Sequence, residues 1–494
     1  MSRSTVVSSP GKVLIAGGYL VLDPAFSGTV VSTSSRFYTV VQDSATIGPN
    51  TVQVRSPQFL NATWQYSVAL EPSVAIEPFS SNTSKNKFVH LALQSTIALA
   101  SEIKGAAALQ QVLAKGLEIT IVGGNDFYSQ RAKLASLQLP RTLESLSKIP
   151  PFTPTGQPLS EVHKTGLGSS AALITSLVSA LLAHFSAIPE SALSDDDSEG
   201  RRLAHNLAQY VHCLAQGKIG SGFDVSAAVF GSHIYTRFNP AVLNGLMNDT
   251  QSQPLHPTLS PSNSAWDYRI EPFRLPPLTR MMLADVDAGS DTPSLVGKVL
   301  KWRKEQSAEA DGLWNELREL NGALAQTLLH LSQLHDQDPV NYASAVKYIS
   351  SLQPRQWVAN PFQPPAEEPV VSSFYKVHEI SQEIRGKMRK MGELSQVPIE
   401  PVEQTQLLDA CVSQAGVVGG GVPGAGGYDA IWLLVLNPVS CAPDQSPLER
   451  VEHIWTNYTA LDVSPLSATE SLARGARIEN LDSIPGLREV VTVQ

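Results

Sequence analysis

The sequence predicts a two-lobed protein, α/β in its N-terminal half and α+β in the remainder. Three observations carry that expectation. A chain of 494 residues is longer than one hydrophobic core ordinarily organises. Short β-branched runs broken by turn residues give way, from residue 88 onward, to helical spacing interleaved with single strands. A stretch dense in Pro, Ser, Asn and Thr at 241–265 then interrupts the pattern and reads as a linker between a lobe at 1–240 and a second at 266–494.

Taken in order, residues 5–7, 12–15, 28–32, 37–41 and 51–54 read as strands because β-branched side chains suit a pleated, half-buried surface. Residues 88–103 carry apolar side chains at helical spacing, and 117–122 form a strand ending in the turn Gly123, Gly124, Asn125, Asp126. Residues 139–159, rich in Pro, Thr and Ser, read as a loop or insert. A glycine and serine loop then runs into an apolar helix, and after a solvated acidic turn at 195–197 comes a second helix at 201–215. Beyond the linker a strand at 280–286 leads to helices through residue 333, a Pro-rich break at 354–369 and helices at 372–394 and 403–414. The pattern closes on strand, turn and strand in GVVGGGVPGAGGYDAIWLLVL, and no repeat period is evident.

The net charge of −9 argues against a nucleic-acid partner, although a few lysines gathered in one cleft would still hold an anionic small molecule. Cys213, Cys411 and Cys441 are odd in number and lack metal or CxxC spacing, which suits a reducing, cytoplasmic setting. Pro10, Gly11 and Lys12 break the first apolar stretch, so it does not read as a signal peptide. No run reaches the length needed to cross a bilayer.

Function is concentrated in glycine. A helix start leaves backbone N–H groups unpaired and carries partial positive charge, so the loop Gly166, Leu167, Gly168, Ser169, Ser170, Ala171 reads as a phosphate site. Its serines are expected to cap the helix or to supply hydroxyls to phosphate or magnesium. Gly166, Gly168 and Ala171 also fit G-x-G-x-x-A, and Gly419, Gly421 and Gly424 fit G-x-G-x-x-G. A strand rather than a helix follows the second match, however, and no strand with an acid follows the first, so a dinucleotide site is set aside. No Walker loop and no G-x-S-x-G elbow is present.

Pro10-Gly11-Lys12, then Gly166 to Ala171, then Pro423-Gly424-Ala425-Gly426-Gly427 occur in an order that resembles the GHMP small-molecule kinases. The segments PGKVLIAGGYLVLD, EVHKTGLGSSAAL, AQGKIGSGFDVSAAVFGS, QTQLLDA and GVPGAGGYDAI extend the resemblance to the fungal-type phosphomevalonate kinases within that superfamily. The resemblance implies an N-terminal nucleotide lobe with a mixed sheet and a ferredoxin-like C-terminal lobe. It also implies ATP and Mg2+ as cofactors, 5-phosphomevalonate as the small-molecule partner and a place in isoprenoid and sterol supply. Other acceptors on the same fold (mevalonate, homoserine, a sugar) and a ligand-sensing pseudokinase are the alternatives.

Joining two phosphates is first an electrostatic problem, so Lys12 and Lys164 are the leading cationic candidates. Asp224, beside Val225, Ala227 and Ala228, is expected to be partly enclosed and to need a partner, for which Lys12 is the obvious choice. By resemblance Asp224 occupies the position of a catalytic base, but a phosphate acceptor arrives mostly deprotonated, so orienting Lys12 and the acceptor is the role expected of it. Further expectations from the resemblance are Lys164, Thr165 and Gly166 through Ala171 for ATP, with Asn125 and Tyr128 near adenine. Tyr19, Ser221, Ser290, Thr292, Gly424, Ala425 and Gly426 are expected around the acceptor, with Arg36 a weaker phosphate candidate. Several relatives bind magnesium through a glutamate in the helix preceding Asp224. This chain offers Gln209, His212, Cys213 and Gln216 there, so Ser169 or Ser170, the ATP phosphates and water are expected to hold the ion. His205 and His212 read as core or capping histidines.

Overall fold

The computed structural model describes residues 3–44, 46–79, 85–248, 253–286, 292–359 and 364–492, without the side chains of 292 and 293. The two strand runs at the N-terminus fuse into one long strand, β1 (Ser4–Ala16), paired antiparallel with β2 (Ser27–Asp43). The register slips between Pro10 and Lys12. The first glycine motif is therefore a bulge inside a strand rather than a loop beside one. Pro10 has no N–H to give to a ladder, and a bulge re-aims the side chain that follows.

Further strands are β3 (Thr51–Arg55), β4 (Thr63–Ala69), β5 (Ala75–Pro78), β6 (Leu117–Gly123), β7 (His233–Thr236) and β8 (Arg269–Pro272). With β13 (Arg477–Ile478) they complete a nine-stranded sheet of order β13-β1-β2-β6-β3-β4-β5, in which β7 joins β2 and β8 joins β7. The sheet is mixed, because β3 runs parallel to β6 while the other pairs are antiparallel. Helices α1 (Lys87–Lys104), α2 (Ser169–His184), α3 (Glu199–Gln216) and α4 (Phe223–Phe230) pack together, with α2 lying on β1 and β2. Helix α2 is apolar almost all round and is buried from Ala171 to His184 except at Leu173, as a helix enclosed by a sheet and other helices must be.

The second lobe has strands β9 (Thr279–Val286), β10 (Val417–Gly421), β11 (Ala430–Leu436) and β12 (Val463–Leu466) in the antiparallel order β10-β11-β9-β12. Helices connect the first of these strands to the second and the third to the fourth, which is the β-α-β-β-α-β ferredoxin-like arrangement. They include α5 (Thr292–Glu305), α6 (Ser307–Gln337), α7 (Glu368–Ser395), α8 (Val402–Val412) and α9 (Pro447–Asn457). Leu407, Leu408, Cys411, Val451 and Trp455 close its core against Ile431, Leu433 and Val435.

Two boundaries differ from the sequence reading. The stretch 241–265 contains helices Ala241–Asn248 and His256–Leu259, and its Leu243, Leu246, Leu255 and Leu259 are buried in the first lobe's core. The Glu102 carboxylate accepts the backbone N–H groups of Leu255 and His256 and so ties this stretch to α1. The chain also returns to the first lobe after β12, where β13 pairs with β1. Residues 139–159 form an ordered loop with a short helix, Leu143–Ser147, and buried Ile149 and Phe152. Among the described residues no helix is long and apolar enough to cross a membrane.

Candidate active site

All three glycine motifs meet at Lys12. The Lys12 backbone N–H donates to Leu167 O at 2.9 Å, and its ammonium donates to Gly166 O at 2.8 Å. Gly168 takes φ 79°, a left-handed value, and a Cβ there would lie 3.0 Å from Lys12 Cε. The third motif docks on the first: Gly424 N–H donates to Leu14 O at 3.1 Å and Tyr19 Oη donates to Ala425 O at 2.7 Å. A Cβ on Gly18 would collide with Gly424 O, so glycine is what allows the two backbones this close. Tyr19 itself has φ 64°, an uncommon value for a bulky residue.

Lys12, Tyr19, Ser221, Gly166, Gly424, Ala425 and Gly426 line one cavity of about 180 Å3, together with Leu14, Val21, Leu22, Phe223, Val296 and Asp429. Lys12 Nζ stands 5.5 Å from the Phe223 ring centroid. Burial pushes the Lys12 pKa down, and the carboxylates of Asp224 and Asp429 pull it back up. Asp224 is thus an electrostatic neighbour of Lys12 but does not form the direct ion pair expected from the sequence. Its carboxylate accepts the Val225 N–H at 2.9 Å and lies 3.7 Å from His212 Nε2.

On the other side of the loop a second cavity is bounded by Ser169, Ser170 and Lys164, and by Phe37, Asn86, Phe88, Tyr128, Leu159 and Leu173. Tyr128 is buried and pairs by a β-bridge with Lys164, whereas the Asn125 side chain is committed to Pro150 O and Thr153 N and does not line this cavity. Thr165 is buried, with its hydroxyl donating to Asp126 O, and Ala171 and Leu167 are buried with it. Gly168 is the N-cap of α2, and Ser169 and Ser170 sit inside the first turn rather than capping it. The first intrahelical bond is Ala172 N–H to Gly168 O, so the preceding N–H groups of the helix have no side-chain cap.

Two histidines separate here. His205 is a core residue against Phe230, Trp266 and Tyr268, and burial pushes its pKa down to about 3. His212, read from sequence as core or cap, is buried but belongs to the site. Its Nε2 lies 3.1 Å from Ser170 Oγ and 3.1 Å from Gln216 Nε2 as well as near Asp224. No sequence signal singled it out, since His205 and Gln209 on the same helix have the same spacing as His212 and Gln216. Asp429 was equally present in the quoted segment GVPGAGGYDAI, but nothing in its spacing pointed at Lys12.

Arg36 does not face either cavity. It is buried and donates to Ser8 Oγ, Ser8 O and Gly475 O, tying β2 to the returning C-terminal segment. Ser290 lies outside the described residues, as does the side chain of Thr292, whose backbone opens α5. Burial pushes the Cys213 thiol up to about 11, so it stays protonated and unreactive.

A hard divalent cation such as Mg2+ wants oxygen ligands and keeps several waters. Ser169 and Ser170 hydroxyls at the loop, with the Asp224 carboxylate linked to Ser170 through His212, are a donor set of that kind. Among the described residues no group of three or more His, Cys, Asp or Glu stands in metal-binding geometry. A larger cavity, about 940 Å3, opens elsewhere between Thr142, Glu144 and α9. Its lining mixes the acids Glu144, Asp444, Glu449 and Glu452 with Arg280, Arg450 and His453, and it contains none of the three glycine motifs.

Residues 134–232, which contain the phosphate loop and Asp224, match the GHMP kinases N terminal domain family. The chain is 40% identical over 461 residues to a peroxisomal phosphomevalonate kinase of Arabidopsis thaliana, covering 88% of this chain and 90% of that protein. It is 35% identical over 465 residues to phosphomevalonate kinase of Candida albicans, covering 92% and 95%. The fold is shared with Streptococcus pneumoniae phosphomevalonate kinase, solved with phosphomevalonate and AMPPNP, at TM-score 0.55 and 15% identity over 96% of this chain and 99% of that one. With identity of 35% or more over 88% or more of its length, the chain belongs to the phosphomevalonate kinase family of GHMP kinases.

Proposed function

We propose that this protein is an ATP-dependent phosphomevalonate kinase, moving the γ-phosphoryl group of ATP onto the phosphate of 5-phosphomevalonate to give 5-diphosphomevalonate and ADP. The carrying observation is the position of the loop at 165–171 between two cavities, one aromatic and one holding Lys12. The aromatic side suits a nucleotide base, with Tyr128 and Phe88 as walls and Lys164 at its edge. The N–H groups opening α2 then receive the phosphates. The other cavity has Leu14, Val21, Leu22, Phe223 and Val296 for a short carbon skeleton, Ser221 and Tyr19 for its polar ends, and Lys12 for its phosphate.

The reaction needs the acceptor's phosphate oxygen to approach Pγ in line while the bond from Pγ to the β,γ-bridging oxygen breaks and ADP leaves. Two unit charges about 4 Å apart interact by roughly 4 kcal/mol at an effective dielectric of 20, and both reactants carry more than one. Lys12, fixed by Gly166 O and enclosed by the cavity, neutralises part of that charge without reorganising. Burial lowers the Lys12 pKa and the carboxylates of Asp224 and Asp429 oppose that shift, while Asp224 orients rather than deprotonates, since a dianionic phosphate has no proton to surrender. Mg2+, held by Ser169 or Ser170, would supply charge neutralisation at the β and γ phosphates. A cytoplasmic or other reducing compartment suits the three free cysteines.

An ADP-release assay with ATP, Mg2+ and a panel of acceptors tests this. Phosphomevalonate should support turnover and mevalonate should not, with the 31P spectrum of the product showing a new diphosphate linkage. Equal or greater turnover with mevalonate, homoserine or a sugar would overturn the assignment of acceptor.

A further inference from the structure

Helix α5 meets the acceptor cavity through Val296, whereas Tyr19, Val21 and Leu22, from the turn after β1, form another part of its wall. Seven residues beyond Val296, two helical turns and so on the same face, stands Arg303. Its guanidinium lies 3.9 Å from the ring centroid of Trp314 and 5.6 Å from that of Phe26. Phe26 and Trp314 themselves meet edge to face at 5.5 Å, both buried. Arg303 Nη1 is 2.9 Å from Asp23 Oδ2, and its Nε is 3.0 Å from Asp311 Oδ1.

These partners have different origins. Asp311 and Trp314 belong to α6 in the second lobe, whereas Asp23 and Phe26 continue the first-lobe turn that carries Tyr19, Val21 and Leu22. That turn is stiff: Asp23 N–H donates to Leu20 O at 3.0 Å, Phe26 N–H to Asp23 O at 3.0 Å, and Arg237 holds Leu22 O. A displacement of Asp23 is therefore a displacement of the cavity wall. Either ion pair alone, with side chains 24% and 30% or more exposed, would stabilise little. Stacking on an indole fixes the plane of the guanidinium, so that its two edges serve two carboxylates at once, which an ammonium does not reproduce.

We propose that Arg303 is a positioning residue for the acceptor: by clasping α5 to the Asp23 turn across the two lobes, it sets the width of the cavity that takes phosphomevalonate. The proposal rests on the acceptor reading of that cavity. Arg303 touches neither cavity, and the nucleotide side lies beyond the phosphate loop, so its influence falls on the acceptor alone.

The test uses the full chain with Arg303→Ala, Arg303→Lys, Asp23→Asn and Asp311→Asn, varying phosphomevalonate and ATP separately and recording the thermal midpoint of each variant. Arg303→Ala and Asp23→Asn should raise KM for phosphomevalonate about tenfold, as misplacement of a binding wall does, with KM for ATP within about twofold of wild type. Arg303→Lys should not restore the wild-type value. Asp311→Asn, which spares the link between lobes, should change KM for phosphomevalonate by less than about twofold. Asp23→Asn is nearly isosteric at a partly exposed site and keeps the test open if Arg303→Ala folds poorly. Parallel shifts in both KM values, an Asp311→Asn effect as large as that of Asp23→Asn, or an unchanged KM for phosphomevalonate in a wild-type-like background would overturn the proposal alone. Failure of the wild-type chain to use phosphomevalonate would overturn the acceptor reading and this proposal with it.

Discussion

Lys12, Asp224 and His212 lie around the phosphate loop, and each can be probed singly. Lys12→Met keeps the bulk of the side chain and removes its charge, so turnover should fall by about 10² to 10³, the loss typical of one preorganised stabilising group. Asp224→Asn should depress turnover by a similar factor at every pH tested. A phosphate acceptor gives no acidic limb for the substitution to abolish, and near-wild-type steady-state rates in the variant would contradict the role given to Asp224. His212 joins the phosphate-loop serine to that carboxylate, so His212→Ala should lower kcat about tenfold, an order typical of a lost positioning contact. The neighbouring Cys213→Ala serves as a control, expected to retain most activity because the thiol is protonated and uninvolved. Lys12 could be singled out as a candidate from its glycine neighbours, and the structure sets it against the phosphate loop. His212 was not, because a histidine among buried residues of a helix is usually core, and only its distance to Ser170 separates it from His205.

At the scale of elements, the site depends on backbones brought unusually close. Gly168→Ala would place a methyl against the Lys12 side chain at a left-handed φ, with strain of about 1–2 kcal/mol. It should cost more in turnover than in thermal stability if, as proposed, the group displaced is the cation that faces the transferring phosphoryl group. Gly18→Ala strikes instead at the docking of the third motif on the first, so calorimetry should record a lower Tm and kinetics a higher KM for the acceptor. The principal helices and the second and third glycine loops were readable from periodicity and turn chemistry. The strand structure of the first motif was not: Pro10 and Gly11 signal a turn locally, and only pairing with β2 on both sides of the slip makes the segment one bulged strand. The stretch at 241–265 misled for a similar reason, since its composition is that of a linker while four leucines anchor it to the core.

Across the whole molecule the lobes are joined by more than one crossing. After β12 the chain runs back over the first lobe, where Asp126 accepts the Ser467 N–H at 2.7 Å and Glu470 accepts the Leu275 N–H at 3.2 Å. Burial pushes the Glu470 pKa up to about 7, above the ordinary value of 4.5. The folded state therefore binds a proton that the unfolded chain has already released between those values, and stability falls as pH rises through this window. Glu470→Gln removes the titration, so its Tm should decline less than that of wild type between pH 5 and pH 7; identical slopes would remove Glu470 from this account. The return of the chain was invisible in sequence, because β13 is two residues long and its partner lies at the opposite end of the chain. The central claim is that the bend at 165–171 carries the triphosphate on one side and delivers Pγ to an acceptor beside Lys12 on the other. A crystal structure with a non-hydrolysable ATP analogue, Mg2+ and phosphomevalonate tests it most directly. It should place the phosphates on the N–H groups opening α2, with both reacting phosphates next to Lys12 Nζ; a nucleotide seated elsewhere, or an acceptor phosphate remote from Lys12, would contradict it.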